Sequence, residues 1–140
     1  MKKAMMMVLL AALTVSLGTA QRKVVRPLPG LPGSWRLIGQ TQADFGADHD
    51  TIVVAGPFDN FRKLKFKVTD APLNLQRMVV TYDNGMPDRI EVRQKIRQGG
   101  ESRVIDLQGV GARSIRKIEF WYDTKGFLKG KADLTVFGMK

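Results

Sequence analysis

Apolar and polar side chains alternate along most of this chain after residue 33, and that period of two predicts strands. The clearest case is residues 62–69, where Leu64, Phe66 and Val68 take one face and Lys63, Lys65 and Lys67 the other. Residues 89–97 repeat the pattern, with Ile90, Val92 and Ile96 inward and Arg89, Glu91, Arg93, Lys95 and Arg97 outward. Further strands are predicted over 34–39, 51–55, 73–82, 103–107, 114–123 and 131–138. Turn signals separate them at Asp83-Asn84-Gly85, Gln98-Gly99-Gly100, Gly109, Gly111, Gly126 and Gly130. In the strand over 114–123, Ile118, Phe120 and Tyr122 share a parity that Ile115 does not, which calls for a bulge near Arg116-Lys117. No stretch of ten residues in this part shows a helical stripe. About eight short strands at this spacing predict an all-β fold, an antiparallel two-sheet sandwich of jelly-roll or C2-like connectivity, with a closed barrel as the alternative.

The first 33 residues read differently. Lys2 and Lys3 precede an apolar run from Ala4 to Leu17, followed by Gly18-Thr19-Ala20. A positive start, an apolar centre and small residues before the cut describe a signal-peptide helix over 1–20, cleaved after Ala20. The run is shorter than the roughly 20 apolar residues that a spanning helix needs. Residues 21–33 carry Arg22, Lys23 and Arg26, then Pro27-Leu28-Pro29-Gly30-Leu31-Pro32-Gly33, and read as a basic, Pro/Gly-rich linker. Residues 34–140 form the single β-sandwich domain. The expected location is the periplasm or the exterior, with no transmembrane segment once the signal is removed.

The strand order contains a familiar succession: Ser34-Trp35-Arg36-Leu37-Ile38-Gly39, Asp48-His49-Asp50-Thr51-Ile52-Val53-Val54, Tyr82-Asp83-Asn84-Gly85, Ser102-Arg103-Val104-Ile105-Asp106-Leu107 and Arg113-Ser114-Ile115-Arg116-Lys117-Ile118-Glu119-Phe120. In these segments the chain resembles small exported bacterial proteins of a domain-of-unknown-function family. The resemblance implies a β-sandwich and export, and it implies no activity.

Composition narrows the chemistry. The 140 residues hold 23 Lys/Arg against 13 Asp/Glu, net +10, with no cysteine and one histidine. The missing thiols exclude disulfides, a cysteine nucleophile and thiolate metal sites. The charge is uneven: residues 34–61 hold one basic and four acidic side chains, and residues 62–140 hold 17 and nine. If the two basic strands share a sheet, Lys63, Lys65, Lys67, Arg89, Arg93, Lys95 and Arg97 form one cationic face opposed only by Glu91. Trp121 has the outward parity of its strand and is a candidate stacking platform beside them. Such a face attracts an anionic envelope glycan or lipid headgroup; export separates the chain from nucleic acid. The plainer reading is a solvated surface whose lysines discourage edge-to-edge pairing.

Asp44, Asp48, His49 and Asp50 form the second candidate, an oxygen-rich segment suited to calcium, although no EF-hand spacing is present. Asx turns ahead of a strand explain the same residues. No other cofactor is indicated. His49 beside Ser34, Ser102 or Ser114 is the third, a hydrolytic arrangement without a nucleophile-elbow motif. The expected function is a non-enzymatic binding module; a calcium-stabilised adhesion module and a purely structural envelope protein are the alternatives.

Overall fold

Wherever side chains alternate along the chain, the backbone is extended. The computed structural model describes residues 21–29, 31, 33–44, 49–108, 113–123 and 131–140. The leader over 1–20, Asp48 and the turns at Gly109, Gly111, Gly126 and Gly130 lie outside the described residues. The strands are β1 (Gln21–Val25), β2 (Arg36–Asp44), β3 (His49–Val54), β4 (Lys63–Thr69), β5 (Leu73–Tyr82), β6 (Asp88–Ile96), β7 (Ile105–Asp106), β8 (Ile115–Asp123) and β9 (Lys131–Met139).

They form two packed sheets, β1-β3-β8-β5-β6 and β2-β9-β4-β7. From β2 onward the antiparallel pairs are nested: β2 with β9, β3 with β8, β4 with β7 and β5 with β6. This is one long hairpin of eight strands, rolled until β4 also meets β9 and β5 also meets β8. That is jelly-roll connectivity. The inner faces meet in one core, with Phe66 of β4 packed edge-on to Phe120 of β8 at a centroid separation of 5.2 Å. Both rings are fully buried.

Residues 21–25 correct the linker expectation, because they form a strand that pairs in parallel with β3. The prolines begin only at Pro27, so the five residues before them are free to make ladder hydrogen bonds. Val25 is buried and packs over Gly39 of β2; a Cβ at Gly39 would lie 2.5 Å from Val25 Cγ1. The absent side chain is what lets β1 close over the junction of the two sheets. The proline-bearing segment is held as well. Pro27 is buried, Ser34 N and Oγ both donate to Leu31 O, and Arg36 donates to Pro29 O.

The bulge expected near Arg116-Lys117 is present. Thr81 faces Lys117 and Tyr82 faces Ile115, leaving Arg116 as the extra residue. Ile115 and Ile118 are therefore both buried, with two consecutive cations between them.

Candidate functional site

The sheet order decides what becomes of the seven cations. Lys63, Lys65 and Lys67 stand on β4, inside the four-stranded sheet, while Arg89, Arg93 and Lys95 stand on β6, the edge of the other sheet, with Arg97 just beyond it. The condition for a single face is not met. The alternation that placed each group outward was right, but alternation carries no information about which sheet a strand joins. Arg93 also lies against Glu91, with 3.3 Å between charged atoms.

The outer surface of the four-stranded sheet gathers a different set. Leu37 of β2, Phe137 of β9 and Lys65 of β4 lie in one cross-strand row. Lys65 Nζ sits 4.6 Å above the ring of Trp35, a cation–π contact. Lys67 lies two residues along. Lys63 donates to Asp106 and Lys65 to Glu101, at 2.5 and 3.3 Å. The Lys63 pair is exposed and holds its ammonium group only weakly, whereas the Lys65 side chain is 19% exposed, set between Glu101 and the Trp35 ring. Beside this row a groove of about 430 Å³ is lined by Arg26, Leu28, Trp35, Arg36, Leu37 and Ile38. Leu28 and Leu37 are 70% and 56% exposed, and Leu31 nearby in sequence is 76% exposed. The surface thus joins cations to an uncovered apolar strip. The shared parity of Trp35 and Leu37 was visible in the sequence; their position beside Lys65 was not.

Trp121 occupies the outer surface of the other sheet, in a row with His49 and Arg77. His49 stacks on its ring at 4.4 Å between centroids, and the Arg77 guanidinium lies 4.3 Å from the ring centre. Because β3 and β5 flank β8 on opposite sides, the two partners cover opposite faces of the indole. The ring is filled by its own protein and offers no free stacking face, which corrects its assignment as a platform. His49 Nε2 also lies 3.4 Å from Glu119.

The acidic segment is divided too. His49 and Asp50 are consecutive on β3, so the imidazole faces outward while the Asp50 carboxylate is fully buried. They cannot share one ion. Asp44 ends β2 and Asp48 lies outside the described residues; among the described residues no group of three His, Asp or Glu side chains could hold a metal. The serines named with His49 stand outside the strands, before β2, β7 and β8. Ser102 Oγ accepts from Phe66 N and donates to Arg103 O, Ser34 Oγ is turned to Leu31 O, and Ser114 N donates to Asp83. Asp70 follows β4 and contacts Asp133 of β9, whose ladder partner is Thr69. That contact, and the charge of Asp133, raise the Asp70 carboxyl above its usual range against the opposing pull of Lys131.

Around the β5–β6 turn, the polar groups are occupied in holding loops. Tyr82 Oη donates to Asp88 at 2.5 Å, and Asp88 also accepts from Gln108 N. Burial, followed by this hydrogen bond and the Asp88 charge, holds the Tyr82 phenol well above its ordinary range, with the Arg113 charge working against the rise. Arg113 stacks 3.8 Å from the Tyr82 ring and donates to Asn84 O, Met86 O and Gln108 O. These side chains fix the turn instead of presenting donors to a ligand.

Among the described residues no helix is long and apolar enough to cross a membrane. A family model described as "Domain of unknown function (DUF2541)" matches residues 4–138. No curated protein and no solved structure matches the chain.

Proposed function

The chain belongs to the DUF2541 family, a domain of unknown function, and from that premise we propose that it is an exported, non-enzymatic β-sandwich module that binds an anionic component of the cell envelope. The contact surface is the outer face of the four-stranded sheet, with Lys63, Lys65 and Lys67 as the cations and Trp35, Leu37 and Phe137 as the apolar strip, flanked by Arg26 and Arg36 of the adjoining groove. One observation carries the reading: exposed leucines and a tryptophan lie directly among lysines and arginines, beside a groove whose two charged walls are Arg26 and Arg36. Cations draw the protein to a negative surface, and the apolar side chains then reward contact with a headgroup layer. A glycan would use the lysines but would leave Leu28 and Leu37 in water, so the lipid headgroup is the better match. Export rests on the leader pattern over 1–20.

Sedimentation with vesicles tests the surface. Binding to phosphatidylglycerol vesicles and not to phosphatidylcholine vesicles, weakening steeply with added salt, is the expected result. Equal binding to both, or none to either, refutes it. The mass of the protein recovered from the cell envelope tests export: a chain starting near Gln21 is expected, and an intact Met1 in the cytoplasm contradicts it.

A further inference from the structure

The bulge in β8 has a chemical consequence on the opposite sheet, away from the proposed lipid-facing surface. A regular strand would send Arg116 and Lys117 to opposite sides. Here Ile115 and Ile118 are both in the core, so both cations between them are kept out of it: Arg116 is exposed and Lys117 half-buried. The neighbouring strands complete the surroundings. Lys117 is paired with Val53 of β3 on one side and with Thr81 of β5 on the other. Strand β1 adds Arg22, which pairs with Thr51 of β3. These groups line one depression of about 340 Å³, with Val53 and Ala55 among its apolar walls.

Three cations and a hydroxyl thus converge, and no carboxylate belongs to the lining. Neither Arg22 nor Arg116 forms an ion pair with any described residue; Lys117 lies 3.9 Å from Glu119, a long contact. Like charges lining one depression repel one another, and an anion seated between them offsets the repulsion. Two guanidinium forks, one ammonium and one hydroxyl supply more donors than a single carboxylate can accept, and they suit the several oxygens and multiple charge of a phosphoryl group. We propose that Arg22, Arg116, Lys117 and Thr81 form a phosphate-binding site on the outer surface of the five-stranded sheet. The ligand class is a phosphomonoester or diphosphate, free or carried by a larger molecule. The site is separate from the Lys63–Lys65–Lys67 surface and does not depend on it.

The test is an amide chemical-shift titration of the purified protein with inorganic pyrophosphate at physiological salt. Saturable shifts are expected at Ala55, Thr81, Arg116 and Lys117. Arg116→Gln and Lys117→Gln should each weaken binding at least tenfold with an unchanged melting temperature, since both side chains reach solvent. Arg116→Lys should recover part of the loss. Non-saturating shifts, shifts spread evenly over all surface cations, or an unaltered affinity in Arg116→Gln overturn the proposal. A parallel titration with glycerol 3-phosphate separates the sources: tighter binding than pyrophosphate assigns the site to a lipid-derived headgroup, and weaker binding to a free diphosphate. Lys65→Gln separates the two sites, because it should weaken vesicle binding and leave pyrophosphate affinity intact.

Discussion

Replacing Trp121 by alanine should cost stability and leave ligand binding intact. The indole is held between His49, 4.4 Å away and nearly parallel, and the Arg77 guanidinium at 4.3 Å. An aromatic stack contributes about 0.5–1.5 kcal/mol. A cation over an indole at a partly exposed site adds about 0.5–1 kcal/mol. The loss of half-buried apolar area brings roughly another 1 kcal/mol. The expected total of about 2–3.5 kcal/mol corresponds to a fall in melting temperature of roughly 10 °C for a domain of this size. Thermal unfolding followed by circular dichroism measures it. Trp121→Phe should lose less, and a double-mutant cycle with Arg77→Ala should return a coupling of about 0.5–1 kcal/mol. Vesicle binding should match the wild type, because both faces of the ring are already occupied. An unchanged melting temperature with abolished binding would refute the reasoning and restore Trp121 as a ligand platform.

Gly138→Ala should destabilise by about 1–3 kcal/mol through overpacking, since its Cβ would sit 2.6 Å from the buried Phe61 ring and 2.8 Å from Ile38 Cδ1; adding Phe61→Leu should recover part of the loss in a melt, and a neutral single substitution would show the ring free to move. Asp70 has a raised carboxyl because of Asp133, so the pair favours the fold below the unfolded carboxylate value and opposes it as pH rises through the folded value. Asp133→Asn should therefore raise the melting temperature at pH 7 with little change at pH 3; a lower melting temperature at pH 7 contradicts the repulsion. Tyr82 is shifted upward, so its stabilisation is complete below the ordinary phenol value and fades as pH rises towards the folded one. Tyr82→Phe should cost about 1–2 kcal/mol near pH 8 and progressively less above pH 10 in chemical unfolding, and a pH-independent gap would count against the Asp88 contact.

Eight strands were legible because one face of each is buried, which forces a period of two onto the sequence. The bulge was legible for the same reason: Ile115 and Ile118 can both reach the core only if Arg116 is extra. Strand β1 was not, because a five-residue edge strand buries little more than Val25 and stands before a run of prolines. The division of the basic strands was hidden because Lys63–Lys67 and Arg89–Arg97 alternate identically whichever sheet they join. Cross-strand partners escaped detection too, since register, and not parity, brings His49 and Arg77 to Trp121. The split between His49 and Asp50 follows from the same alternation, because β3 begins at His49 and not at Thr51.

The most direct test of the proposed surface is vesicle binding by the triple variant Lys63→Gln, Lys65→Gln and Lys67→Gln. A basic side chain near an anionic bilayer contributes about 1 kcal/mol, so removing three should weaken binding to phosphatidylglycerol vesicles roughly a hundredfold at low salt. The melting temperature should fall by only a few degrees, because the lysines point out of the core, Lys63 is exposed, and Lys65 alone gives up a cation–π contact with Trp35. A stable triple variant that binds these vesicles as tightly as the wild type would contradict the account.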